Sequence, residues 1–164
     1  MQWIDGSEID LKNCTSESLC GKLATEIWDY EREEWLGWPE FIQVASFLIA
    51  FDTELTMEGI FTFLENDIGH YAPEIIRAFR LIGDNDDADI LEKICQYVPP
   101  DIMRGELLKG DHQEYEITSF DSDHELKEEV VERIVELSTK LYLYTDYDIW
   151  ELLFQFMDEQ IGML

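Results

Sequence analysis

The chain has 164 residues, and its 38 Asp and Glu against 11 Lys and Arg give a formal charge of −27. An acid excess of this size repels nucleic-acid phosphates and anionic membrane leaflets while attracting basic proteins and cations, which argues against direct nucleic-acid or membrane binding. It does not imply disorder, because 46% of the residues are hydrophobic and 13% aromatic, enough to offset chain entropy by burial.

The length suits a single domain. No stretch approaches the ~18 apolar residues of a membrane span, and the start, MQWIDGSEID, lacks the basic-then-apolar pattern of a signal peptide, so a cytoplasmic protein is expected. Cys14, Cys20 and Cys95 have no C-x-x-C spacing. Buried free thiols are expected, with neither a disulfide framework nor a zinc site.

In chain order, Leu19, Leu23, Ile27 and Tyr30 predict one amphipathic helix over 19–35, capped by Thr15 or Ser16 and stopped by Gly37 and Pro39. Pro39 opens a second helix, and the run from Phe41 to Phe51 is apolar on nearly every face, as in a central buried helix. Gly59 begins a short helix carrying Ile60, Phe61, Phe63 and Leu64. Pro73 suits the first turn of the next, whose face is Ile75, Ile76, Phe79, Leu81 and Ile82, ended by Gly83.

Asn85 or Asp86 is the expected cap of a helix carrying Ile90, Leu91, Ile94 and Cys95, which forms a tight hairpin with its predecessor. Residues 99–121 read as an irregular connection, with Glu114–Thr118 alternating as a short strand would but lacking a partner. From Ser122 or Asp123 a long helix follows, with Leu126, Val130, Ile134, Leu137 and Leu141 at spacings of three and four, and a last, broadly apolar helix covers about 147–162. The sum is an all-α, bundle-like single domain of about six to eight helices, with helix pairs resembling a short solenoid.

No catalytic or metal motif stands out in the sequence. The segment Asp84–Asp89 fails the calcium-loop pattern, since Ala88, Asp89 and Cys95 stand at its fifth, sixth and twelfth positions. Capping explains those carboxylates better. His70, His112 and His124 show no paired spacing and are read as solvated or capping residues. No P-loop, nucleophile elbow or dinucleotide fingerprint occurs, so no enzyme activity, catalytic residue, metal or cofactor is expected.

The acids are unevenly spread. Nine lie between Asp111 and Glu132, opposed only by Lys127, and five more between Asp146 and Glu159 with no base among them. Self-repulsion on that scale disfavours the compact state, which makes a purely passive acidic surface a costly arrangement. Helical carboxylates at i, i+3 and i+4, such as Glu125, Glu128, Glu129 and Glu132, stand about 5–6 Å apart, so rows of them can imitate phosphate rows before a basic DNA-binding groove. An immunity or antitoxin-like inhibitor covering a basic nuclease is the alternative from charge alone.

The stretches Glu54–Asn66, Tyr71–Gly83, Ala88–Lys93, Leu137–Tyr144 and Asp148–Met157 resemble the bacterial acidic DNA-mimic protein family, over about two thirds of the chain. Glu58-Gly59-Ile60 stands where that family has a Gly-Gly-Phe type motif. The resemblance implies an acidic all-helical fold, a dimer, and occupation of the DNA-binding surface of a transcription factor. The matching positions are mostly turns and apolar faces and carry no site residues across. From charge and placement, the residues expected to bind a partner are Asp84, Asp86 and Asp87 at the capped turn, Glu125, Glu128, Glu129 and Glu132 on the acidic helix, and Asp146, Asp148 and Glu151 near the C-terminus. An apolar last helix is a further reason to expect a homodimer.

Overall fold

The computed structural model describes residues 1–98 and 128–164, so the 99–121 connection, the strand-like Glu114–Thr118, the caps Ser122 and Asp123, and His112, His124 and Glu125 lie outside the described residues. Among those described there are eight α-helices and no β-strand, only an isolated bridge between Gln2 and Glu8. The fold is all-α.

Helix α1, Ser16–Glu26, begins where Thr15 accepts a hydrogen bond from the Ser18 amide at 3.2 Å, satisfying a donor that the first turn leaves open. The single helix expected over 19–35 is in fact broken. A 3₁₀ turn covers Ile27–Asp29, Tyr30 and Glu31 are extended, and α2, Arg32–Trp35, starts afresh with a capping box made by Glu31 and Glu34. The break has a packing reason: Ile27 and Trp35 are both fully buried, yet eight residues of unbroken helix would turn them about 80° apart. Arg32 then lies over Trp35, 4.5 Å from its ring centre, and Trp35 stacks on Trp38 at 5.9 Å.

Pro39 caps the central helix α3, Glu40–Met57, which is buried on most of its circumference from Phe41 to Phe51. Around α3 pack α1, α4 (Gly59–Glu65), α5 (Ala72–Leu81) and α8 (Ile149–Gly162). Phe51 is the hub. Its ring meets Phe63 edge-on at 4.8 Å and Phe79 edge-on at 5.6 Å, favourable quadrupole geometries on top of ~2–3 kcal/mol of burial for each ring. Gly59, at φ +87°, lets the chain turn between α3 and α4.

Gly83, at φ +90°, ends α5: the Gly83 amide donates to the Arg80 carbonyl and the Asp84 amide to that of Phe79, the pair of bonds of a Schellman motif. Leu81, expected in the core, is exposed at this end, while Ile82 is buried. Helix α6, Asn85–Cys95, follows at once. Its cap is therefore Asp84, not Asn85 or Asp86, because the last residue of the Schellman turn is already the residue before the helix. α6 packs on α5, and α7 (Glu128–Ser138) on α6.

α7 ends at Ser138 rather than at Leu141, and Leu141 and Tyr142 stay buried in the link that leads to α8. In α8, Ile149, Leu153, Phe156 and Met157 are buried, and Trp150, Leu152, Phe154 and Ile161 pack partly against the core. Most of its apolar face is thus covered within the chain, which removes that particular reason to expect a dimer. The thiols are free: Cys20 is buried, whereas Cys14 and Cys95 are only half-buried.

Candidate functional site: acids on the surface and acids in the interior

The carboxylates singled out in the sequence separate into two groups. On α7, the buried stripe Ile134, Leu137 and Ser138 fixes which side faces α6, and Glu128, Glu129 and Glu132 are left exposed on the other. None of the three has a Lys or Arg partner among the described residues. One turn on, Glu136 is exposed but neutralised by Arg133 and Lys140, and the Arg133 guanidinium holds its carboxyl below the usual range. The unpaired acids of α7 therefore lie in its first described turns.

A second exposed group lies before and within α8. Asp146, Asp148 and Glu151 are exposed and unpaired among the described residues, but Asp148 also accepts the Trp150 amide at 2.9 Å as the cap of α8. Asp86, in the first turn of α6, is exposed as well. It borders an open recess of about 220 Å³ lined by Asp86, Asp87, Lys140, Tyr142, Thr145 and Tyr147.

Asp84 and Asp87, expected on the binding surface with Asp86, are instead in the interior, only 2% and 3% exposed. Asp84 Oδ1 accepts the Asp87 amide at 3.1 Å, and Asp87 Oδ1 accepts the Tyr142 amide at 2.8 Å. Burial, reinforced by Asp84, pushes the Asp87 carboxyl up to about 8. Their role is internal: they connect the start of α6 to the link after α7. The turn that makes Asp84 the cap of α6 also puts both residues on its inner side, which a reading by charge alone misses.

Two residues outside the sequence-predicted set, Tyr142 and Asp52, complete this interior. The Tyr142 hydroxyl donates to Asp52 on α3 at 2.6 Å, and burial raises both the Asp52 carboxyl and the Tyr142 phenol. Asp52, following directly on Phe51 in an apolar helix, was the available signal, since a carboxylate there requires a partner. On the far side, Asp67 pairs with Arg32 at 3.7 Å. His70, expected to be solvated or capping, is half-buried in the 3₁₀ turn Asp67–Tyr71, its Nε2 lacks a partner, and burial lowers its pKa.

Among the described residues, no group of three or more His, Cys, Asp or Glu is arranged to hold a metal ion, and no helix is long and apolar enough to cross a membrane. Of the sequence-predicted acids among the described residues, the exposed, unpaired ones lie along α7 and on the approach to α8, and Asp86 borders the polar recess. In comparison with known proteins, the family model described as DMP19-like protein matches residues 37–160. Neither the curated proteins nor the solved structures contain a match.

Proposed function

The chain belongs to the DMP19-like protein family, and from that premise we propose that it is a DNA mimic: a non-enzymatic, acidic interaction protein that binds the basic surface of a DNA-binding protein such as a transcription factor and keeps DNA away from it. The observation that carries this reading is the run of exposed, unpaired carboxylates Glu128, Glu129 and Glu132 on one helix, close in sequence to Asp146, Asp148 and Glu151. Such charges steer a basic partner to the surface and displace the counterions held at its DNA groove, as phosphates do. Glu125 extends the same series in the sequence. The protein acts in the cytoplasm, where its partner is, and uses no cofactor.

The test is capture from lysate at low salt, stepwise washing to high salt, and competition with duplex DNA. A DNA-binding protein that duplex DNA displaces supports mimicry and identifies the target. A nuclease as the captured protein moves the reading to an immunity-like inhibitor. Retention of nothing basic, or of a protein indifferent to DNA, contradicts mimicry and leaves the acids as a solvated surface.

A further inference from the structure

We propose that Asp84 and Asp87 share one proton, and that this buried carboxyl–carboxylate pair is a pH-sensitive latch fastening the link between α7 and α8 to the start of α6. The geometry carries the inference. Both side chains are buried, and Asp84 Oδ2 has no hydrogen-bond partner, an acceptor left empty where water does not reach. Two ionised carboxylates three residues apart at such a site repel each other and leave that oxygen unmet. A proton on Asp87 removes both difficulties, since its O–H donates to Asp84 while its Oδ1 still accepts the Tyr142 amide.

Among the described residues, each nearby cation is engaged elsewhere. On α6 itself the nearest charge is Asp86, which with Asp84 raises the Asp87 carboxyl. From α3, Asp52 is engaged by the Tyr142 hydroxyl. From α5, Arg80 is taken by Asp89 and Glu92. On the link, Tyr147 is raised by burial and by Asp84, Asp87 and Asp86, and Lys140, at the rim of the recess, pairs with Glu136.

The native state therefore holds a proton that the unfolded chain releases between the ordinary Asp value of 3.8 and about 8. Stability from this pair is fully present below pH ~4, falls as pH rises through that window, and is gone above it. Ionisation withdraws the donor to Asp84 and sets two charges against each other beneath the link. The segment so released carries Asp146, Tyr147 and Asp148, which places part of the acidic surface under control of the latch.

The test compares wild type with Asp87→Asn, whose amide donates permanently to Asp84 while its oxygen still accepts from Tyr142. Hydrogen exchange at the Tyr142 amide, corrected for intrinsic rate, is followed from pH 5 to 10 together with the carboxyl carbon resonance of Asp87. Expected are an Asp87 carbon that titrates near pH 8, a wild-type protection factor that falls at least tenfold through that pH, and protection in D87N that stays level. General charge repulsion acts on both proteins, so their difference isolates the pair. If D87N does not fold, Asp84→Asn replaces it, since Asn also caps and donates, and its protection is expected to be level too. An Asp87 carbon titrating in the ordinary carboxylate range, or variant protection that falls in step with wild type, overturns the latch.

Discussion

In the sequence α6 and α7 each carry a cluster of carboxylates, around the cap of one and along the other, yet the fold sends them opposite ways. At α6 the Schellman turn around Gly83 pulls Asp84 and Asp87 inward, where Asp84 accepts the Asp87 amide and Asp87 accepts that of Tyr142. At α7 the apolar stripe ending in Ile134 and Leu137 faces α6 and turns Glu128, Glu129 and Glu132 to solvent. The difference teaches that charge in a sequence assigns a residue to no role until its side of the element is known. Buried acids here hold elements together; the exposed, unpaired ones are those we propose for a partner.

Substitutions sharpen that contrast, beginning with the largest effect. Asp87→Ala leaves the Tyr142 amide and Asp84 without their partner and opens a small void, so urea denaturation at pH 6 should show a loss of about 3 kcal/mol. Tyr142→Phe removes the hydroxyl that meets Asp52 and should lose about 1.5 kcal/mol in the same assay. Asp148→Ala combines the two classes. As the cap of α8 it should lose about 1 kcal/mol of stability, and as an exposed acid it should also weaken partner capture.

At the small end stands the triple variant Glu128→Gln, Glu129→Gln, Glu132→Gln. Thermal unfolding should move by less than about 0.5 kcal/mol, towards greater stability, because like charges four residues apart on a helix repel. A stability loss in this variant comparable with that of Asp87→Ala would abolish the distinction between the two groups.

Much of the architecture was legible because apolar spacing and punctuation agree. Pro39 and Pro73 open helices, Gly59 begins α4, Gly83 closes α5, and the largely apolar run from Phe41 to Phe51 marks the central helix. What was not legible depends on contacts distant in sequence. The break at Tyr30 follows from burying both Ile27 and Trp35, and the end of α7 at Ser138 leaves Tyr142 free to reach Asp52, 90 residues earlier. The cap of α6 was misplaced by one or two residues because the turn before it uses Asp84 twice. For the candidate site, exposure of the α7 acids follows from helical periodicity, whereas burial of Asp84 and Asp87 depends on a link more than 50 residues away.

The central claim, that the exposed α7 carboxylates are the binding surface, is tested most directly by calorimetric titration of the captured partner with wild type and with the Glu128, Glu129, Glu132 triple Gln variant. The variant should bind at least tenfold more weakly, with a shallower dependence of affinity on salt and the fold intact. Equal affinities and equal salt dependence would contradict it and move the binding surface elsewhere on the molecule.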